Sequence, residues 1–401
     1  MVEPAHAVGE LPRACLRVGG VSLARHQLGL ALALGCQRIV CLSAIYDAEL
    51  GVLQQVAEAG GANFQRISGA AGLLGLVNAG DELVALGEAM LVWPELAIAQ
   101  LNAGPVVLVQ PIEAGLAAGF ERMDINHASA GAMLIPGRVV ARLAEFPADF
   151  DVFSTLQRLA LQAGVPQRLL PPDAHEAGRW SLVRGEAEAH AVEMAWIRLH
   201  TQTAGAGTLA LDIARRGVRA FGPALLHAGS SGTVVAIAGG VAQAFGLVLG
   251  WFGLVVPGLA LFGAAWVLFL AASLFGRVER AALRLPRPHV APVVIYGWVI
   301  DIGLALLMAW NMSPGSGRSF MERSFAPMML LGLTRMVARV MGQNSGHWIE
   351  DRLVLALVLA IAAIAGGFSL AIGALALAVL VAGTVITSRQ NAANASLTPT
   401  R

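Results

Sequence analysis

Asp301 sits in the middle of an otherwise apolar run, VVIYGWVIDIGLALLMAW, from Val293 to Trp310. A carboxylate at membrane depth costs at least a few kcal/mol, so it is by default a candidate functional group. Glu279, Arg277, Arg280 and Arg284 lie one short connection upstream. Glu279 and Asp301 supply hard oxygen ligands for one Mg or Mn ion at most, with water and substrate oxygens completing its shell. The three arginines offer a different chemistry, because guanidinium groups bind phosphate bidentately without a metal. In that arrangement the two acids orient the arginines around a phosphate-bearing lipid or nucleotide. The same arginines also suit a plain anchor for a cytoplasmic loop. Residue types alone weight these two readings equally.

These residues need a membrane domain to hold them. Of the 401 residues 56% are hydrophobic and 13% charged, too apolar for an ordinary soluble chain. The excess is concentrated after about Gly232, and the part before it has the charge density of a soluble domain. Six apolar segments are expected near 233–252, 254–275, 290–311, 324–342, 353–368 and 370–387. Arg215, Arg216 and Arg219 precede the first, Arg277, Arg280, Arg284 and Arg287 fill the second connection, and Arg389 follows the last. The positive-inside rule then predicts a multi-pass protein of the cytoplasmic (inner) membrane with both termini cytoplasmic, although Arg318 and Arg323 fall on the other side. Gly246 and Gly250 form a GxxxG pair suited to close helix packing. The basic, amphipathic stretch Leu209–His227 reads as an interfacial helix against anionic headgroups.

The N-terminal part alternates short apolar strands (38–43, 82–86, 105–110) with helical patterns (22–34, 47–59), with Ser22 and Asp47 as N-caps. Such alternation predicts an α/β domain with a mostly parallel sheet, Rossmann-like, with ligands at the carboxyl ends of its strands. Glu88 stands just past one strand end. Cys15, Cys36 and Cys41 have no metal spacing and read as reduced thiols. The histidines show no metal-ligand spacing either, and a net charge of +1 argues for no nucleic acid partner. The expected organisation is 1–200 as the α/β domain, 201–229 as linker and interfacial helix, 230–390 as the all-α membrane domain of six helices, and 391–401 as a disordered tail.

Two resemblances attach to these residues. LPRACLRVGGVSLARHQL, Leu11–Leu28, resembles the sugar-phosphate type of nucleotidyltransferase, with Arg13 in the place of that family's lysine and Val18-Gly19-Gly20 as its turn. Leu86-Gly87-Glu88 then takes the place of the strand end where the family has a metal-binding Asp. The stretch Ala271–Ala305 resembles the CDP-alcohol phosphatidyltransferases, whose signature is D-x2-D-G-x2-A-R followed by G-x3-D-x3-D. Glu279 takes the place of the second acid, Arg284 that of the signature arginine, and Gly297 and Asp301 the G-x3-D part. Gly276 and Ala305 stand where that family has its first and last Asp.

Together the two resemble bifunctional enzymes in which a cytidylyltransferase half makes a CDP-alcohol and a membrane half transfers the phospho-alcohol. The resemblance implies Asp301 and Glu279 as catalytic and metal-holding acids. Arg277, Arg280, Arg284, Gly297, Arg13 and Glu88 are then substrate-binding, with one Mg or Mn ion, and with membrane lipid and a CDP-alcohol or other phosphate-bearing ligand as partners. A homodimer is compatible with it. Without an acid at position 305 there is no counterpart of the family's base. The expectation is therefore a polar-lipid transferase with an altered site, or a catalytically inactive relative that binds a phosphate-bearing lipid or a partner enzyme.

Overall fold

The computed structural model describes residues 12–43, 48–147, 150–202, 207–227, 231–283, 289–312, 319–341 and 349–397. Contacts divide the chain into two compact units, Met1–Leu199 with Arg280–Leu285, and His200–Glu279 with Pro286–Arg401.

The first unit opens with a tight hairpin, β1 (Arg17–Val18) and β2 (Val21–Ser22), turned by Gly19 and Gly20 with φ of 64° and 84°. Residues with a Cβ rarely adopt those values. Ser22 caps α1 (Leu23–Ala33) by accepting the Arg25 N–H, as the sequence predicts. The other expected cap, Asp47, lies outside the described residues. The chain continues through β3 (Arg38–Leu42), α2 (Ala48–Ala59), β4 (Asn63–Ile67), α3 (Ala70–Leu74), β5 (Glu82–Leu86) and β6 (Met90–Val92). It goes on through α4 (Pro94–Leu101), β7 (Val106–Pro111), α5 (Ile112–Ala117), β8 (His127–Pro136), α6 (Gly137–Val140) and α7 (Val152–Gln162). β9 (Gln167–Leu169), β10 (Trp180–Leu182) and α8 (Glu186–His200) complete the unit.

This is an α/β unit with small mixed sheets, where the alternation predicts a mostly parallel one. β3 and β4 pair in parallel as a sheet of their own, and β6 pairs with β10 antiparallel. The largest sheet has four strands in the order β5-β8-β7-β9, with β8 antiparallel to both neighbours and only β7–β9 parallel. The difference comes from β8. Its sequence, HASAGAMLIP, is rich in Ala and Gly, residues depleted in strands. Burial holds it instead: all positions from Ala128 to Ile135 are buried, between two flanking strands.

The second unit begins with α9 (Leu209–His227), followed by α10 (Ser231–Trp251), α11 (Val255–Leu283), α12 (Pro292–Asn311), α13 (Phe320–Met341), α14 (Arg352–Ile364) and α15 (Phe368–Leu397). Among the described residues four segments are long and apolar enough to cross a membrane: Gly232–Trp251, Val255–Leu283, Pro292–Asn311 and Phe368–Val385. The sequence predicts six. α13 falls short because it carries Glu322, Arg323, Arg335 and Arg339. α14 has 13 residues, or about 20 Å of helix against about 30 Å of hydrocarbon. α15 extends to Leu397.

The GxxxG pair packs against two different helices. A Cβ on Gly246 would lie 3.1 Å from the Gly258 carbonyl of α11, and one on Gly250 2.9 Å from Leu307 of α12. Asn311 Nδ2 donates to the bared Gly250 carbonyl at 2.9 Å. These approaches fix α10, α11 and α12 around Asp301.

Candidate functional site

Asp301 is 5% exposed and both its oxygens are engaged. Oδ1 accepts from Arg352 Nε at 2.7 Å; Oδ2 accepts from Arg352 Nη2 at 2.9 Å and Arg335 Nε at 2.6 Å. The Arg352 pair is the two-point fork that guanidinium and carboxylate geometry favours. Gly297, one helical turn before Asp301, makes room for Arg335: a Cβ there would lie 3.3 Å from Arg335 Nη2. The indole of Trp298 covers the same guanidinium, with Cζ 3.9 Å from the ring centroid. The G-x3-D spacing therefore serves to seat an arginine of α13.

Arg352 is the first residue of α14, and the preceding Asp351 joins a further helix to the cluster. Asp351 is 2% exposed; Oδ1 accepts the Leu353 N–H and Oδ2 the Ala210 N–H, both at 3.0 Å. One carboxylate thus caps α14 and α9 together, where the N-terminal partial positive charge of each helix favours an anion.

Glu279 belongs elsewhere. Its Oε1 accepts the Gly232 N–H at 3.2 Å, at the start of α10. Two helical rulers separate it from Asp301. Gly232 lies opposite Glu279, whereas Gln243, eleven residues along α10, donates to the Val299 carbonyl beside Asp301; that interval is about 16 Å. On the antiparallel pair α11–α12, Phe269 stacks on Tyr296 at 4.7 Å. Glu279 and Asp301 lie on opposite sides of that level, on the order of 20 Å apart along the axes. At that separation one ion does not reach both carboxylates directly.

Asp301 is expected to orient Arg277, Arg280 and Arg284, the last of which lies outside the described residues. Among the described residues its partners are Arg335 and Arg352. Arg277 and Arg280 occupy the last turns of α11. A lone Mg or Mn ion does not fit Asp301 either, because two guanidinium charges already hold both its oxygens. Among the described residues no group of three or more His, Cys, Asp and Glu side chains is gathered as metal ligands.

The other two sequence-predicted residues lie in the first unit. Arg13 and Glu88 both line a cleft of about 1090 Å³, with Gln27, Glu121 and Arg184. The cleft is lined by β3 and β5, whose first residues Arg38 and Glu82 add charge to mostly apolar strand sides, and by the turns that carry Arg13 and Glu88. Glu88 rides on a firmly held turn. The Gly87 N–H donates to the Gly131 carbonyl at 2.7 Å, and the Gly87 carbonyl accepts Gln27 Nε2 at 2.7 Å. Ala89, directly after it, is buried with φ of 58°, the one positive-φ residue other than glycine among the described residues. Backbone held in that region costs on the order of 1 kcal/mol and is found disproportionately at functional sites.

Arg184 is fixed in the cleft by Glu188, which accepts from its Nη2 at 2.6 Å and its Nε at 3.0 Å. Burial alone would raise the Glu188 carboxyl, but hydrogen bonds from Arg184 and the charge of Arg13 hold it below the usual carboxylate range. The Gly19-Gly20 turn, in contrast, is a packing element. Gly19 donates to Glu193 Oε1 at 2.9 Å, and a Cβ on it would lie 3.0 Å from the Trp196 indole nitrogen.

Arg335 and Arg352 are the residues that local reading misses. They lie 34 and 51 positions from Asp301, so no motif spacing links them. Charge balance is the signal that finds them, since an acid in an apolar helix needs a cation at the same depth. No protein-family model matches the chain, and no curated protein matches it.

Proposed function

We propose that this chain is an integral membrane protein of polar-lipid metabolism that binds a CDP-alcohol or another phosphate-bearing ligand and does not transfer it. On this reading it resembles a CDP-alcohol phosphotransferase in domain order and has exchanged the chemistry of its membrane-domain acid for ion pairing. The observation that carries this reading is the saturation of Asp301 by three guanidinium N–H groups. A carboxylate so engaged neither ligates a metal nor accepts a proton from an attacking alcohol without breaking a buried ion pair. The cleft bearing Arg13, Arg184 and Glu88 supplies cations for phosphate and a carboxylate for a hydroxyl or amino group. The membrane is the cytoplasmic one and both termini face the cytoplasm; the arginines of α9 and of the connection after α11 support that orientation.

The test is incubation of the purified full chain with CDP-alcohols and Mg or Mn, following CMP release and, in parallel, binding of a labelled CDP-alcohol. The expected outcome is binding that Arg13→Ala weakens, with CMP release no faster than in protein-free controls. Metal-dependent CMP release by the wild-type chain overturns the proposal, and so does the absence of binding.

A further inference from the structure

The cluster around Asp301 has unused donors at the surface of the second unit. Arg335 gives only its Nε to Asp301, and its two terminal nitrogens make no hydrogen bond among the described residues. Its side chain is 16% exposed, which gives those nitrogens a route to the outside. Behind it Arg352 is 3% exposed, and its Nη1 is buried with no hydrogen-bond partner. A buried guanidinium N–H without an acceptor is costly and points to a missing anion. Two arginines against one Asp leave the trio one positive charge in excess, and the neighbouring Asp351 commits both its oxygens to backbone N–H groups.

The surface around Arg335 states what kind of anion belongs there. Ile295, Trp298 and Ile302 are 52%, 51% and 59% exposed and share one face of α12. On α13, Gly332 lies one turn from Arg335, and a Cβ there would meet nothing within 4 Å, so an open notch adjoins the guanidinium. Gly297, beside Arg335, is five residues from the start of α12, or about 8 Å along the helix. That depth lies just inside the headgroup region, where arginine and tryptophan side chains reach the interface.

We infer that Arg335 binds the phosphate of an anionic phospholipid in a groove between α12 and α13. Trp298 lies over the guanidinium, and the acyl chains run along Ile295, Ile302 and the Gly332 notch. A soluble phosphate is the wrong occupant, because the exposed side chains of α12 beside Arg335 are apolar. This rests on reading the chain as membrane-embedded and phosphate-binding, and it relocates the lipid phosphate from the arginines after α11 to Arg335.

Native mass spectrometry of the full chain released from nanodiscs tests it. Nanodiscs containing phosphatidylglycerol and phosphatidylcholine in equal amounts are expected to leave phosphatidylglycerol retained in preference. Arg335→Gln keeps a neutral donor for Asp301 while Arg352 holds both its oxygens, so the variant folds. Losing a hydrogen bond to a charged group should lower retention about tenfold or more. Arg339→Gln, an exposed arginine one turn further along α13, should retain lipid like the wild type. Equal retention of both lipids, undiminished retention by Arg335→Gln, or displacement by millimolar inorganic phosphate would each overturn the inference. None of these depends on CMP release, so the transfer question can fail or stand separately.

Discussion

Replacing Asp301 with asparagine removes the one anion that, among the described residues, pairs with Arg335 and Arg352, and leaves their guanidinium groups against a neutral amide. The two arginine side chains are 16% and 4% exposed, so water reaches neither freely. Removing one partner from a buried ion pair costs about 3–5 kcal/mol, because the remaining charge stays buried. For a domain of this size that lowers the melting temperature by on the order of 10 °C. The triple change Asp301→Leu, Arg335→Met, Arg352→Met should behave quite differently. It removes all three charges at similar volume, which is commonly neutral or stabilising by about 1–4 kcal/mol. Thermal unfolding of each purified variant in one detergent, followed by tryptophan fluorescence, reads both effects. The expected order has the triple variant near the wild type and Asp301→Asn well below both. If Asp301→Asn melts with the wild type, or the triple variant melts below it, the cluster is not the coupled buried trio described above.

Two further outcomes follow from the geometry. Asp351→Ala removes a cap shared by α9 and α14, so hydrogen exchange should rise in the first turns of both helices, by about 0.5–2 kcal/mol of local protection at each; a rise confined to α14 would exclude the shared cap. In the first unit, a hydrogen bond from His127 holds Asp124 below the usual range, and Arg184 with Arg13 outweighs burial to do the same for Glu188. Both folded-state values lie below the unfolded ones, so this stability is full above the ordinary carboxylate range and declines as pH falls below about 4. Hydrogen exchange of β8 in the intact chain should show that acid-side decline, and Glu188→Gln should make it shallower; an unchanged slope would remove the Arg184–Glu188 pair from the account.

Helices were the most legible part of the sequence. α9 begins and ends at Leu209 and His227 as its amphipathic pattern predicts, and α12 starts within two residues of the expected 290. Their signal is local, because an apolar or amphipathic run either has helical length or does not. Strand pairing is not local. β3, β5 and β7 can be read from their valines, leucines and isoleucines, but β8 has too little β propensity to be seen and its insertion sets the direction of the whole sheet. The site divides in the same way. Asp301 stands out because its neighbours are apolar. Its partners do not, because Arg335 dilutes the hydropathy of α13 and Arg352 reads as the polar edge of a short helix. Glu279 lies close to Asp301 in sequence, yet both belong to long helices running in opposite directions. Each residue beyond the connection carries the two acids about 1.5 Å further from the turn on its own helix.

The order in which the polypeptide emerges from the ribosome gives the buried acid another role. Asp301 is made 34 residues before Arg335 and 51 before Arg352. A helix carrying the charges of α13 partitions poorly into lipid by itself, each central arginine opposing insertion by roughly 2.5–3.5 kcal/mol. Asp301, delivered earlier by a helix long and apolar enough to cross a membrane, is made before its partners as their counter-ion. The nascent chain thus installs its anchor point first and recruits its reluctant segments onto it.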